Sequence, residues 1–255
     1  MIKLKNEDEI EGIRKSCHLL ADMFNFIIPI VKDGEGMSTK DIDDLAVKFI
    51  KEHGGKPAWY QENFPGALCI SVNDQVIHGI PSKKRIIKSG DIVSLDGGIN
   101  LGGFISDSCH SVLVGKPLPE VKKLDDVALE CLAAGIEACR VGNRISDISR
   151  AVYDIATRNG YGVVYDFCGH GVGLDVHEDP SIPNCPSTGP NPRIVPGMVL
   201  AIEPMINIGT ADVYVDQHDG WTVYTEDHKF SAHEEHTVAV FEDHTEILTD
   251  LNYSR

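Results

Sequence analysis

Two segments of this chain repeat one pattern, and the repetition limits the folds that the chain can adopt. Each segment opens on a glycine, continues as a mostly apolar strand and carries a carboxylate six residues after the glycine, as in 90–96 and 197–203. A second acid follows each segment, Asp107 in the first case and Glu235 in the second. The pattern predicts a duplicated half-domain in which each half supplies two carboxylates to a central site, with coincidence as the alternative.

Helices and strands are predicted to alternate along the whole chain. Apolar residues spaced three and four apart predict four amphipathic helices, at 6–29 with Pro29 as the stop, 38–54, 120–138 and 146–159. Apolar or β-branched runs predict strands at 68–72, 76–79, 91–99, 112–114, 199–205 and 235–241, and 180–196 reads as a loop. No linker divides these elements, so we expect an α+β fold and a single domain over 1–255.

Composition excludes some partners and favours one compartment. The chain has 39 acidic residues against 23 lysines and arginines, a net charge of −16, which argues against binding to nucleic acid or an anionic membrane. Its seven cysteines are scattered and form no C-x-x-C pair, as expected for free thiols in a reducing compartment. The N-terminus is charged and no apolar run reaches the ~20 residues of a membrane span, so a cytoplasmic location is predicted.

Two carboxylates stand at the ends of apolar strands, where an acid is costly unless something neutralises it. Asp96 follows the apolar run 92–95, and Glu203 follows 199–202. Either acid alone could face solvent or cap a turn. The same placement in both repeated segments favours a shared site.

The segment 168–178 is the most informative in the chain. Glycines flank His170, so backbone and ligand can approach closely, and His177 lies seven residues further on. A lone histidine is more often a satisfied polar residue than a ligand, but two of them in a glycine-rich turn favour a binding site. Imidazole with several carboxylates suits Mn, Fe, Co or Zn.

Four carboxylates and one imidazole therefore form the candidate ligand set: Asp96, Asp107, His170, Glu203 and Glu235. A charge of about −4 would balance two divalent cations ~3.5–4 Å apart, the arrangement of two-metal aminopeptidases. A bridging water would then be acidified to a nucleophilic hydroxide at neutral pH. No nucleophile elbow, Walker-type loop or H-E-x-x-H motif supports another enzyme class.

Short sequence blocks along nearly the whole chain match a known pattern: 71–73, 77–81, 90–96, 104–107, 169–171, 196–205, 219–222 and 231–237. In this order and spacing, they resemble type I methionine aminopeptidases of the short bacterial form. The resemblance implies the pita-bread (creatinase/aminopeptidase-like) fold, with two pseudo-symmetric halves, roughly 1–120 and 121–255, around a dinuclear metal site. It also implies removal of the initiator methionine from nascent polypeptides whose second residue is small, near the ribosome, by a monomer.

The same resemblance assigns roles to individual residues. Asp96 and Asp107 would bind the first metal, His170 and Glu203 would complete the second, and Asp107 and Glu235 would bridge. Glu203 would also act as general base. His177 would hydrogen-bond the scissile carbonyl or its oxyanion, and His78 would contact the substrate backbone on the leaving-group side.

A methionine pocket is implied by position, lined by Phe64, Cys69, Trp221 and Val176. The chain departs from the family pattern at the rim, in 59–63, at Val176 where a phenylalanine is common, and at Gly97–Gly98 where β-branched residues are frequent. These departures leave the metal ligands unchanged and bear on pocket size and peptide preference.

Two other functions remain as alternatives. An Xaa-Pro aminopeptidase or prolidase shares the fold and ligand types, and 171–178 favours it. Such enzymes usually carry a large N-terminal domain, for which the chain offers no room before its first helix, and 219–222 with 231–237 favours the methionine enzyme. A non-enzymatic pita-bread binding module would typically lack ligands that are all present here.

Overall fold

The computed structural model describes residues 1–253, which contain four α-helices and fifteen β-strands. The helices are α1 (Glu7–Lys32), α2 (Thr39–Glu52), α3 (Pro119–Ala138) and α4 (Ile145–Arg158). The strands are β1 (Lys56–Pro57), β2 (Leu68–Val72), β3 (Gln75–Ile77), β4 (Ile92–Leu101), β5 (Phe104–Leu113), β6 (Gly162–Val163), β7 (Cys168–Gly171), β8 (Glu178–Pro183), β9 (Val199–Ile202), β10 (Met205–Asn207), β11 (Val213–Val215), β12 (Val223–Thr225), β13 (Ser231–His233), β14 (Glu235–Val240) and β15 (Thr245–Ile247).

The four helices occur where they were predicted, and a capping box starts α1. The Asn6 side chain accepts a hydrogen bond from the Glu9 N–H, and the Glu9 carboxylate accepts one from the Asn6 N–H, both 2.9 Å long. These bonds satisfy two backbone donors that an uncapped helix leaves unpaired. Within residues 1–253, no helix has the length and apolar character that crossing a membrane requires.

The predicted stop of α1 at Pro29 is wrong, because the helix continues to Lys32. Proline has no N–H to donate to the carbonyl four residues earlier, here that of Asn25. Both Pro29 and Asn25 are exposed, so water can satisfy that carbonyl. One turn further on, Val31 is fully buried in the core and holds the end of the helix.

The main sheet is antiparallel and nearly symmetric about its centre. Its order is β1-β4-β5-β14-β9-β7-β8, with β2 also on β4 and β15 also on β14. The hairpin β4–β5 therefore corresponds to the pair β9–β14, and each pair carries two of the predicted carboxylates. This arrangement agrees with the repeated sequence pattern and confirms the predicted α+β pita-bread class.

Reciprocal hydrogen bonds join the two central strands, β5 and β14. The Ser108 hydroxyl on β5 donates to the Glu235 carbonyl at 2.8 Å. The Thr237 hydroxyl on β14 donates to the Asp107 carbonyl at 2.7 Å. All four residues are buried, so the backbones that carry two of the predicted ligands are fixed to each other.

Three predictions for strands and loops need correction. The strand predicted at 199–205 is divided between β9, in the main sheet, and β10, in a separate three-stranded sheet. Residues 180–183 belong to β8, not to a loop; β8 is at the edge of the sheet, where prolines are tolerated because one side of the strand needs no donors. The segment predicted at 112–114 is only the end of the ten-residue strand β5. The part of β5 before residue 112 is rich in polar residues and so was not predicted as a strand, although most of it is buried.

Candidate metal centre

All five predicted metal ligands line one pocket of about 120 Å³. They come from five elements: Asp96 on β4, Asp107 on β5, His170 on β7, Glu203 directly after β9, and Glu235 at the start of β14. The central strands thus bring together residues that are far apart in the chain.

The ligand atoms are close enough to share a cation. Asp107, His170 and Glu235 offer atoms that lie within 4.8 Å of one another. The His170 Nε2 is 3.5 Å from the Asp107 Oδ2 and 3.4 Å from the Glu203 Oε1. Atoms bound to one ion at about 2 Å lie roughly 3 Å apart, so small side-chain movements suffice to close such a site.

Three carboxylates of this pocket each have a buried oxygen without a hydrogen-bond partner among the described residues. Among residues 1–253, Asp96 Oδ1, Asp107 Oδ1 and Glu235 Oε1 are buried and have no hydrogen-bond partner. Burial raises the pKa of Asp96 to about 7 and raises the pKa values of Asp107 and Glu235 well above their ordinary range. Buried acids without partners are costly, and divalent cations would neutralise them, so these residues fit a metal centre.

His170 is oriented as a neutral ligand. Its Nδ1 lies 2.9 Å from the Gly171 carbonyl, which leaves Nε2 to face the acids. Burial lowers the pKa of His170 below its ordinary value, which favours the neutral ring that binds metals.

The glycines around His170 lie in strand β7, not in the expected turn, and they serve strand packing. A Cβ on Gly169 would lie 2.4 Å from the Ala201 carbonyl oxygen, and one on Gly171 would lie 2.3 Å from the Asp179 carbonyl oxygen. The glycines therefore allow the neighbouring backbones of the sheet to approach closely.

Glu203 has a histidine neighbour that the sequence reasoning missed. The Nε2 of His233 lies 3.5 Å from the Glu203 Oε2, and the buried His233 ring has no hydrogen-bond partner in the described part of the chain. Burial raises the pKa of Glu203 to about 7. His233 stands two residues before Glu235, and the two-residue period of extended chain was the signal that could have found it.

His78 and His177 both line the pocket, as predicted. His78 adopts a left-handed backbone conformation, with φ 57°, and its ring meets those of Phe167 and Trp221 edge-on. Burial lowers the pKa of His78 to about 4, so this ring is neutral at pH 7. The rings of His177 and His170 have centroids 4.5 Å apart, and burial lowers the pKa of His177 as well.

An apolar wall adjoins the metal ligands. Phe64 and Trp221 meet edge-to-face with centroids 5.3 Å apart, and Cys69 is buried beside them. Burial raises the pKa of the Cys69 thiol, which keeps it uncharged. Val176 is buried in the same apolar cluster but does not line the pocket, unlike its predicted role. Trp59, from the predicted rim segment, also lines the pocket, and three further lining residues were not predicted: Ile77, Phe167 and Cys168.

Comparison with known proteins places this chain in a family. The profile of metallopeptidase family M24 matches residues 11–242. The chain is 55% identical to a methionine aminopeptidase of Treponema pallidum, over 98% of this chain and 97% of the relative. It belongs to family M24, among the methionine aminopeptidases. A methionine aminopeptidase 1 of Bacillus subtilis is 41% identical over 98% of this chain and 99% of the relative.

Solved structures of methionine aminopeptidases share the whole fold. The enzyme from Rickettsia prowazekii has a TM-score of 0.94 and 37% identity, over 98% of this chain and all of that one. Prolidase from Pyrococcus furiosus has a TM-score of 0.78 and 25% identity; the match covers 99% of this chain but 66% of that one.

Two departures from the methionine aminopeptidase pattern are linked in space. Trp59 lines the pocket, and its Nε1 donates to the Asp96 carbonyl at 3.3 Å. A Cβ on Gly98 would lie 3.1 Å from the Trp59 ring and 2.8 Å from the Ser106 carbonyl oxygen. The indole therefore occupies space that a β-branched residue at position 98 would need.

Proposed function

We propose that this chain is a divalent-metal-dependent aminopeptidase that removes methionine from polypeptides whose second residue is small. The observation that carries this proposal is one pocket in which carboxylates with unpaired buried oxygens adjoin an apolar wall of Phe64, Cys69 and Trp221. An apolar slot beside an uncharged thiol and aromatic rings suits a thioether side chain. The names of the relatives support the same substrate.

The carboxylates and His170 would hold two cations, with Asp107 and Glu235 shared between them. When bound, such ions activate a water as nucleophile and polarise the scissile carbonyl. Glu203 would accept a proton from the attacking water and pass it to the departing amine. His177 would donate a hydrogen bond to the carbonyl oxygen as charge develops there, while His78 would hold the substrate backbone on the leaving-group side.

Several finer assignments belong to the same proposal. The ligand chemistry accepts Mn, Fe, Co or Zn. The chain would act as a monomeric single catalytic domain, 1–255, with halves of roughly 1–120 and 121–255, on nascent N-termini near the ribosome in the cytoplasm. Seven free cysteines support a reducing compartment, and the net charge of −16 argues against nucleic-acid or membrane partners.

The test begins with chelator-stripped protein. Methionine release from Met-Ala-Ser is measured after Mn, Fe, Co or Zn is restored, with Ala-Pro-Ala as the competing substrate. We expect metal-dependent release from Met-Ala-Ser alone. Cleavage of Ala-Pro-Ala alone would instead identify a proline-specific peptidase, and loss of both activities with every metal would favour a binding module.

A further inference from the structure

A short segment concentrates positive charge on this acidic chain. Four of its 23 lysines and arginines fall within 83–88, although the net charge is −16. Lys83 pairs with Asp41 and Asp44. The other three cations of the segment, Lys84, Arg85 and Lys88, have no carboxylate oxygen within 4.0 Å among residues 1–253.

These three cations line a groove of about 670 Å³, called here the basic groove. Its remaining lining residues are Gln75, Ile80, Ser82, Ile86, Asp219, Thr222 and Tyr224. Arg85 is held in place, because its Nη2 donates to the Tyr224 hydroxyl at 3.3 Å, which also accepts from Gln75 at 3.1 Å. The guanidinium is thus oriented without being neutralised.

Asp219, the acid that lines the basic groove, is engaged elsewhere. Its Oδ1 accepts from the backbone N–H groups of Trp221, at 2.8 Å, and Thr222, at 2.9 Å. Its Oδ2 accepts from the Thr222 hydroxyl at 2.6 Å. These bonds lower the pKa of Asp219 and fix its carboxylate in a local turn, so the three cations keep their capacity for another anion.

The basic groove borders the candidate active-site pocket along two chain segments. Ile77 and His78 line the pocket, and Ile80 lines the groove. Trp221 lines the pocket, and the next residue, Thr222, lines the groove. Two residues of chain span at most about 7 Å. The groove therefore begins close to the side of the pocket where His78 would hold the leaving group of the substrate.

We propose that the basic groove is a subsite for acidic side chains of the polypeptide substrate, at its fourth and fifth residues. This inference rests on the proposed function. An extended substrate advances about 3.3 Å per residue, so its second and third residues cross the shared wall and the fourth reaches the groove. A carboxylate there would lie within the ~8 Å range over which charges act at physiological salt.

A peptide fits this surface better than a nucleic acid does. The net charge of −16 repels a long polyanion, whereas a single carboxylate responds mainly to the cations nearest to it. The isoleucines, the glutamine and the tyrosine of the groove also suit a peptide, since they offer both apolar contact and hydrogen bonds.

The experiment compares kcat/KM of the metal-loaded enzyme for Met-Ala-Ser-Glu-Glu, Met-Ala-Ser-Gln-Gln and Met-Ala-Ser-Lys-Lys. We expect the Glu peptide to exceed the Gln peptide by about fivefold at low salt, the gain of one or two exposed ion pairs, and salt should reduce this ratio. Lys84→Glu should shift the preference toward the Lys peptide. Loss of folding cannot cause such a reversal. Lys122→Gln, which breaks an exposed pair with Asp126, serves as the control and should keep the wild-type order.

Equal kcat/KM for the three peptides would overturn the subsite. So would RNA binding that depends on Lys84 without any peptide preference, because the groove would then belong to a nucleic-acid surface. Met-Ala-Ser alone tests the proposed function, since it is too short to reach the groove. Affinities of the three longer peptides, measured by calorimetry, report the preference for Glu over Gln and Lys even if no methionine is released. Failure of the proposed function can therefore be distinguished from failure of the subsite.

Discussion

Lys5 and Glu178 form an ion pair of 2.7 Å with side chains only 1% and 2% exposed. The second oxygen of Glu178 accepts from the backbone N–H groups of Leu174, at 2.8 Å, and Asp175, at 3.0 Å. These bonds close the turn 174–178, which contains His177 and places its side chain in the pocket. The pair therefore positions a candidate catalytic side chain from outside the pocket.

Lys5→Met should destabilise the protein and reduce its activity. The substitution leaves the Glu178 carboxylate buried without its cation, which typically costs about 3 kcal/mol. We expect a lower urea midpoint together with a fall in kcat/KM for Met-Ala-Ser, as the turn before His177 loosens. The matched control is Lys3→Met. Lys3 pairs with Asp175 where both side chains are exposed, so we expect little change in the urea midpoint or in kcat/KM. Similar losses in the two variants would contradict the positioning role.

Glu203→Gln should reduce kcat for Met-Ala-Ser by about 100-fold or more, because the amide cannot take the proton of the attacking water. Glu246→Gln is the control, since Glu246 pairs with Arg14 outside the pocket. Metal content of both variants is measured alongside kcat, so that loss of a ligand is separated from loss of the base. Turnover close to wild type in Glu203→Gln would refute the assigned role.

Stabilisation by metal should grow with pH. Without cations, burial raises the pKa of Asp96 from 3.8 to about 7 and that of Glu203 from 4.5 to about 7. The folded protein then holds protons that the unfolded chain releases, so this stabilising contribution is complete below about pH 4 and is lost as pH rises through about 7. Divalent cations bind the deprotonated carboxylates. Metal binding should therefore replace the lost stabilisation over the same pH range.

The measurement is the Tm with Mn minus the Tm with chelator, taken at about pH 5 and about pH 7.5. We expect the larger difference at the higher pH. Histidines outside the site affect the Tm of both samples equally, so their effect cancels in the difference. Asp107→Asn should remove most of the difference, whereas a Tm difference that is flat or larger at the lower pH would show that these acids do not bind the metal.

Trp221→Ala should weaken methionine recognition. The indole forms one wall of the pocket against Phe64, and its removal should lower kcat/KM for Met-Ala-Ser by about tenfold, mainly through KM. Phe26→Ala removes an aromatic side chain that is 44% exposed on α1 and should leave kcat/KM unchanged. An unaltered KM in Trp221→Ala would place the methionine side chain elsewhere.

Sequence patterns predicted the elements whose burial is local and apolar. The strand at 68–72 and the four helices follow from runs or stripes of apolar residues. Most of β5 was missed because its buried serines are satisfied by distant partners: Ser106 bonds with Ser16 of α1, and Ser108 with Glu235. Burial of polar groups through tertiary hydrogen bonds leaves no periodic signal in a single sequence.

Two of the candidate metal ligands, Asp96 and Glu203, were predictable because an acid that follows an apolar run is anomalous in itself. Asp107 and Glu235 followed from the repeated pattern, and His170 from its glycine-rich segment. His233 was not predicted, because its two-residue spacing from Glu235 indicates a site residue only once the fold shows how β13 and β14 lie against Glu203.

The basic groove was not predicted either, because the sequence shows the four cations of 83–88 but not the groove that three of them line. Which lysines are paired is decided by the fold, as the contrast between Lys83 and Lys84 shows.

The reciprocal hydrogen bonds of Ser108 and Thr237 imply that the candidate metal centre forms late in the synthesis of the chain. They join residues 127 and 130 positions apart. During synthesis, Asp96 and Asp107 leave the ribosome before Glu235 is made. Until then, the two aspartates lack the carboxylate that β14 contributes to the pocket. The set of four carboxylates is therefore complete only after β14 has docked against β5, late in the synthesis of the chain.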